Sequence, residues 1–334
     1  MRPLLEKMSK NKKILVTGGA GYIGSVLVRQ LLARGYKVKV ADVLRSGGES
    51  LLEVYRNPDF EFVKADIRDK NAMQAAVQGC DYIIHLAAIV GDPACKQEPE
   101  LAKSINLDGG KQLYEIAEKA GVKGFVFAST CSNYGKMEDP NALLDENGKL
   151  APVSLYAETK VAFEQFLLGQ PKTNKCIPTC LRFSTVYGVS PRIRFDLTVN
   201  EFTRELQLGR ELTIFGEQFW RPYCHVEDLA RASWTIIESP VEKVAFEVFN
   251  VGDTSENYTK RMIVEEIRKQ LPNSKVTYIQ KTEDPRDYRV KFEKITNMLG
   301  FKITKKVPEG IAEIIKMLDL GLLENPDDKK YSNT

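Results

Sequence analysis

The chain has 334 residues, 43% of them hydrophobic and 28% charged, which is enough apolar material for one large domain or two modest ones and too much for general disorder. Its 48 basic and 45 acidic residues leave a net charge of +3, without the basic surplus of a nucleic-acid binder. Six cysteines without C-x-x-C spacing and only two histidines, His85 and His225, argue against a Cys/His metal site and a secreted disulfide framework, and point to a reducing, cytoplasmic setting.

The start, Met1–Lys12, is polar and basic without the hydrophobic centre of a secretion signal, so it reads as a frayed tail, and Met8 could serve as an internal start. No later apolar run approaches the roughly 20 residues of a membrane span. A strand at Ile14–Val16 runs into Thr17-Gly18-Gly19-Ala20-Gly21-Tyr22-Ile23-Gly24 and a helix over Tyr22–Ala33, with Ile23, Val26, Leu27 and Leu31 on one face. Gly18, Gly21 and Gly24 fit G-x-x-G-x-x-G, and Gly19, Gly21 and Gly24 fit G-x-G-x-x-G. Glycines in this pattern allow a tight turn, close approach of a pyrophosphate and close helix–strand packing. The helix then aims its free N–H groups at the pyrophosphate. A second strand, Val38–Ala41, ends at Asp42, roughly 20 residues past the glycines. A carboxylate there accepts hydrogen bonds from the adenosine ribose and repels the extra phosphate of NADP, so NAD is the expected cofactor.

Further strands are expected at Phe60–Lys64, Tyr82–Leu86 and Gly124–Ala128, apolar runs suited to a sheet buried on both faces. Helices are expected between them at Asn71–Gln78 and Leu101–Ala120, the latter stopped by Gly121. This alternation predicts an α/β fold, a doubly wound parallel sheet of the Rossmann type over residues 13–180, with parts of 220–255 returning to it. Beyond residue 180, prolines punctuate shorter elements, with helices expected over Asp196–Leu208, Val226–Ile237 and Lys260–Gln270. Residues 181–330 read as a smaller C-terminal α/β lobe, and the polar stretch Asn325–Thr334 as loose.

Tyr156 and Lys160 form Y-x-x-x-K, and on a helix such residues share a face. An ammonium beside a phenol favours the phenolate, making the phenol a general base in oxidation and a general acid in reduction. The spacing alone is common and equally suits a half-buried Tyr beside a solvated Lys. Ahead of it, Phe125-Val126-Phe127-Ala128-Ser129-Thr130-Cys131-Ser132-Asn133-Tyr134-Gly135 ends a strand in small hydroxyl residues. Such a hydroxyl can bond a substrate alcohol as it is oxidised, although Ser and Thr also end strands for turn reasons. Neither histidine stands beside the Tyr–Lys pair, and both read as structural.

Taken together, these pieces make the chain resemble an extended short-chain dehydrogenase/reductase of the NAD-dependent epimerase/dehydratase family, which acts on nucleotide sugars. The matching pieces are Thr17–Gly24, Asp42, Ala65-Asp66-Ile67, His85-Leu86-Ala87-Ala88, Asn106, Ser129–Gly135, Tyr156 with Lys160, Arg182–Gly188 and Arg221–Asp228. The resemblance implies a nucleotide-sugar lobe at residues 181–330. It implies that Tyr22 and Ile23 cap the cofactor pyrophosphate, Asp42 holds the ribose, and Asp66 and Ile67 face the adenine. Leu86, Ala87, Ala88 and Val90 would line the cofactor groove, with Asn106 behind them and Phe183 near the nicotinamide. Lys160 would bond the nicotinamide ribose, while Thr130 and Tyr156 flank the sugar hydroxyl. Cys131, Ser132, Thr185, Asn200, Arg221 and Arg286 would contact the substrate, Thr185 replacing a frequent Asn and the arginines suiting a diphosphate.

The resemblance also bears on the reaction. Family members that eliminate water or decarboxylate carry a carboxylate where Cys131 and Ser132 stand, so 4,6-dehydration and decarboxylation are disfavoured. A 3,5-epimerase would pair a Cys with a His, and no well-placed His accompanies Cys131. The simplest chemistry left is C4 epimerisation through a transient 4-keto sugar. A net 4-dehydrogenase or 4-ketoreductase is the alternative, because Arg182–Leu197 and Asp284–Val290 resemble a branch that includes bacterial GDP-heptose 4-dehydrogenases. A non-catalytic dinucleotide sensor is the reading outside this class, and it would have no use for a tuned phenol. The helices Leu101–Ala120 and Pro152–Leu168 correspond to those that pair subunits in this family, so a homodimer is expected.

Overall fold

The structure, a computed structural model, describes residues 12–137, 139, 142–281 and 286–333. The tail reading for Met1–Lys12 therefore lies outside the described residues save for Lys12, as do Asp284 and Pro285.

In chain order the elements begin with β1 (Lys13–Thr17), α1 (Tyr22–Ala33), β2 (Lys37–Asp42), β3 (Phe60–Lys64), α2 (Lys70–Val77) and β4 (Tyr82–His85). Next come α3 (Asp92–Gln97), α4 (Pro99–Lys103), a π-turn over Ser104–Gly109, α5 (Gly110–Ala120), β5 (Gly124–Thr130), α6 (Leu155–Leu168) and β6 (Ile177–Phe183). Then follow β7 (Thr185–Tyr187), α7 (Thr198–Gln207), β8 (Leu212–Phe215), β9 (Trp220–His225), α8 (Val226–Glu238) and α9 (Val241–Val244). The chain continues with β10 (Val248–Val251), β11 (Asn257–Thr259), α10 (Lys260–Gln270), β12 (Val276–Ile279), α11 (Glu293–Leu299) and α12 (Val307–Asp319).

The main sheet has seven strands in the order β10-β6-β5-β4-β1-β2-β3. Its β1–β2, β1–β4, β2–β3 and β4–β5 ladders are parallel. The order reverses at β1, the place where the carboxyl ends of neighbouring strands open a ligand crevice. Ile14, Leu15 and Val16 are wholly buried, as are Val38 and Val40, because helices cover both faces of these central strands. The expectation of two-sided burial fails at β3: it is the edge strand, and Phe62 is 39% exposed.

The chain forms two compact units. The first comprises residues up to Ser129, Ser154–Arg182 and Ala230–Val248, and the second comprises Thr130–Val153, Phe183–Leu229 and Phe249 onward. In the first, Leu15, Ile83, Leu113, Phe125, Phe127 and Phe163 share one buried cluster. Phe163 of α6 meets Phe127 of β5 edge-on, with centroids 4.6 Å apart, a contact of about 0.5–1.5 kcal/mol beyond simple burial that helps pack α6 against the sheet. In the second unit, β11 lies antiparallel to β9, β7 parallel to β9, and β8 parallel to β12.

Two further expectations differ from the structure. The helix expected over Leu101–Ala120 is interrupted by the π-turn at Ser104–Gly109. There the Asn106 amide accepts the Ile89 N–H at 2.8 Å and donates to the Ile89 carbonyl at 3.0 Å, a long-range bond that offsets the extra residue in the turn. Gly121 does end the helix, in a left-handed conformation at φ +74°. The C-terminal stretch is not loose. Asp327 pairs with Arg210 at 2.9 and 2.5 Å, the Phe195 N–H bonds the Tyr331 carbonyl at 2.8 Å, and Arg192 reaches the Ser332 carbonyl at 3.2 Å.

Candidate active site

The glycine loop is a cradle that side chains would fill. Gly18 adopts φ +74°, and a Cβ on it would stand 2.7 Å from the Ala87 nitrogen. A Cβ on Gly24 would stand 2.1 Å from the Gly18 carbonyl oxygen. The turn after β1, the first turn of α1 and the exit of β4 thus approach as closely as bare backbone permits. Gly21 is the N-terminal residue flanking α1, no side-chain hydrogen bond caps the helix from it, and the positive end of the helix dipole lies at this turn. Tyr22 is buried and Ile23 half-buried.

Asp42 ends β2 and braces the loop: its carboxylate accepts the Ala20 N–H at 3.0 Å and the Leu44 N–H at 2.8 Å. Each oxygen keeps further acceptor capacity for a ribose hydroxyl. Asp66 is held by Arg68 through two contacts of 2.9 and 2.6 Å, and that pairing pulls its carboxyl below the usual range. Ile67 is buried, and its carbonyl accepts the Gln112 amide. Leu86, Ala87, Ala88 and Val90 are half-buried along the segment leaving β4, where Asn106 anchors Ile89. Among these residues the structure brings together a backbone cradle, an anion-seeking helix end and a carboxylate at the second strand, a set that fits NAD.

Tyr156 and Lys160 lie on α6. The helix starts at Ser154, whose hydroxyl accepts the Ala157 N–H at 3.3 Å and donates to Asp92 at 2.6 Å. Tyr156 packs against the cluster of Ile89, Ala94, Cys95 and Ala102. Lys160 is 3% exposed, and its ammonium donates to the Ala128 carbonyl at 2.8 Å. It lies 4.8 Å from the Phe127 ring centre and 5.9 Å from that of Tyr156. Burial pushes the Lys160 ammonium down to about 8, so the cation is the main form at neutral pH. His85, at the end of β4, bonds the Thr17 hydroxyl at 2.7 Å, and burial together with Lys160 pushes it down to about 3. A neutral His85 therefore serves as a link between β1 and β4.

In the second unit, Thr130 accepts the Ser132 N–H at 3.1 Å, turning the chain sharply after β5. Cys131 is wholly buried, 4.0 Å from the Asn250 side-chain oxygen that also accepts the Tyr134 hydroxyl at 2.7 Å. The Ser132 hydroxyl meets the Tyr288 hydroxyl at 3.4 Å. The Arg221 guanidinium stands 5.3 Å over the Tyr288 ring, and Arg221 and Arg286 both act electrostatically on that phenol. Burial nevertheless pushes Tyr288 up to about 12. Ser132 and Arg221 thus stand beside Tyr288, and Arg286 is near enough to act on its charge. Phe183 is buried at the end of β6, and Thr185 pairs with Tyr223 across β7 and β9. Asn200 is wholly buried, its amide bonding the Gly188 N–H at 2.9 Å and the Arg194 carbonyl at 2.8 Å, so it staples the 188–194 turn.

Sequence reasoning assigned no role to Tyr288, Asn250, Glu164 or Arg182. Tyr288 lies in the Asp284–Val290 stretch already marked by resemblance. Glu164 lies four residues past Lys160 and eight past Tyr156, a helical spacing that could have exposed it.

A model of the NAD dependent epimerase/dehydratase family matches residues 14–252. A UDP-N-acetyl-alpha-D-glucosaminuronate decarboxylase of Bacillus cytotoxicus is 30% identical over 73% of this chain and 76% of its own length. A UDP-glucose 4-epimerase of Lactobacillus helveticus is 30% identical over 77% of this chain and 81% of its own. Among solved structures, UDP-glucose 4-epimerase with UDP-glucose from Thermotoga maritima superposes with a TM-score of 0.82 at 28% identity, covering 93% of this chain and 100% of the other.

Proposed function

Because the chain belongs to the NAD-dependent epimerase/dehydratase family, we propose that it inverts C4 of a nucleotide-diphosphate sugar through a transient 4-keto sugar. NAD, when held by the glycine loop, Asp42 and Lys160, would supply the hydride acceptor and donor that oxidation and re-reduction at C4 require. Tyr156, as the phenolate, would take the C4 hydroxyl proton and, as the phenol so formed, give it back on re-reduction, while Thr130 bonds the same hydroxyl. Lys160 holds the nicotinamide ribose and, as a cation, favours the phenolate. Asp42 holds the adenosine ribose, and Arg221 and Arg286 take the diphosphate.

The observation that carries this choice of reaction is the Cys131–Ser132 pair. Ser132 meets a phenol, Tyr288, raised to about 12 by burial. A hydroxyl so partnered is a poor acid or base near neutrality, so the ketone at C4 is left to be reduced again. The alternative of a net 4-dehydrogenase is favoured by the Arg182–Leu197 stretch with its resemblance to that branch. The two separate on purification: an epimerase keeps NAD through each cycle, whereas the dehydrogenase requires a fresh oxidant. The chain is further proposed to be cytoplasmic and to dimerise. Among the described residues, no helix is long and apolar enough to cross a membrane.

The test is Tyr156→Phe, with UDP-glucose, UDP-galactose and a panel of other nucleotide sugars as probes. Turnover should fall by about a thousandfold while NAD is retained. Undiminished turnover would remove Tyr156 from the chemistry.

A further inference from the structure

Directly below the Tyr–Lys pair lies a polar cluster that the proposed chemistry does not use. Tyr156, Lys160 and Glu164 follow one another at four-residue steps along α6, so they form one stripe. Glu164 is 1% exposed and Arg182, near the end of β6, is 4% exposed. Arg182 Nη2 donates to Glu164 Oε1 at 2.6 Å, and its Nε lies 3.2 and 3.3 Å from the two carboxylate oxygens. The Ser129 hydroxyl donates to Glu164 Oε2 at 2.6 Å. Lys160 meanwhile donates to the carbonyl of Ala128, the preceding residue of β5. Two successive residues of β5 are therefore gripped by two successive positions of the stripe, and β6 is tied to the same carboxylate.

Stability does not explain this arrangement well. Two buried charges lose their hydration, and apolar side chains of similar volume usually stabilise a core as well or better. What an apolar contact lacks is direction. A forked guanidinium on a carboxylate fixes both distance and angle more narrowly than packed hydrocarbon does. We propose that Glu164, Arg182 and Ser129 act as positioning residues that set the height of α6 against β5, holding the Lys160 ammonium at the Ala128 carbonyl and the Tyr156 phenol at its working level. This rests on the reading of Tyr156 and Lys160 as the reacting pair. The geometry of Lys160 can be tested even if that reading fails.

Removing Glu164 alone would leave the Arg182 charge buried without it and confound folding with positioning. The informative variant is Ser129→Ala/Glu164→Leu/Arg182→Met, which empties the cluster of polar atoms together, with Ser129→Ala alone as the milder companion. Lys160 is followed by NMR of protein labelled with 15N at lysine Nζ, its signal identified by its loss in Lys160→Met. In the native protein it should titrate near 8. In the triple variant it should move by about one pH unit or more towards the ordinary lysine value, as the loosened helix admits water. Turnover of UDP-glucose should fall about tenfold or more in kcat with KM held within about twofold, and Ser129→Ala should show a smaller change in the same direction. A triple variant that melts like the native protein, with Lys160 titration and kcat unchanged, would overturn the inference. If the triple variant does not fold, native titration in Ser129→Ala would overturn it equally. If the native protein leaves every nucleotide sugar untouched, the functional reading falls, and the positioning role stands or falls on the Lys160 titration alone.

Discussion

Lys160 holds its charge in the folded chain at a net cost. Its folded value of about 8 against the ordinary 10.5 means that burial opposes the charge. Below about pH 8 both folded and unfolded chains carry the proton, and the burial cost is fully present. Between about 8 and 10.5 the folded chain sheds its proton first, so the unfolded state binds more protons and stability rises with pH. The shift corresponds to about 3 kcal/mol at most, reduced in a variant by the Ala128 carbonyl left without its donor. Lys160→Met should therefore be the more stable protein at pH 7, by about 1–3 kcal/mol in urea unfolding. The difference should close as pH passes from 8 towards 10.5. A variant less stable than the native chain at pH 7 would show that the ammonium is better accommodated than its burial implies. Asp42 makes the contrasting case. Its carboxylate braces the glycine loop through the Ala20 N–H, so Asp42→Ala should weaken NAD binding by about tenfold or more and narrow the preference over NADP, both measurable by calorimetry.

At the level of elements, what could be read ahead of the coordinates depended on whether the deciding contacts were local. The bounds of Tyr22–Ala33 and Lys260–Gln270 were legible because apolar periodicity and terminal residues carry them. The Tyr156–Lys160 pair was legible for the same reason, since helical spacing alone puts the two side chains on one face. The β8–β12 pair was not legible, because both strands are four residues long and alternate with an exposed face that holds Phe215 and Ile279. The π-turn depends on Asn106 meeting Ile89, 17 residues away, and the C-terminal stretch on Asp327 meeting Arg210, 117 residues away. Polar composition suggested a loose tail, and long-range arginine contacts decided otherwise. Removing residues 325–334 should accordingly lower stability by about 1–3 kcal/mol. It should also raise hydrogen exchange over residues 192–200 while leaving β1 and β4 protected. Equal protection of 192–200 in the shortened chain would mean that the stretch merely rests on the surface.

For the molecule as a catalyst, the family and its cofactor follow from motifs spread over most of the chain, but the proposed choice of reaction rests on a few side chains around Ser132. Here the sequence was informative through what stands at positions 131 and 132, and silent about Tyr288, which arrives at Ser132 from 156 residues further along. The consequence can be read in the product. If the C4 ketone is only reduced again, the hydrogen at C4 travels as hydride and never exchanges with solvent, while C3 and C5 keep their protons for want of a base. Turnover of nucleotide sugars in deuterated water, followed by proton NMR, should then give product inverted at C4 without deuterium at C3, C4 or C5. Deuterium at C3 or C5 would mean that a side chain deprotonates the carbon beside the ketone, and Cys131 would be the first residue to replace. Deuterium at C4 would mean that the returning hydride came from an exchanged pool, against a cofactor held through the cycle. Label-free inversion that persists after Cys131→Ala would leave the phenol of Tyr156 as the proton carrier and Cys131 as packing against Asn250.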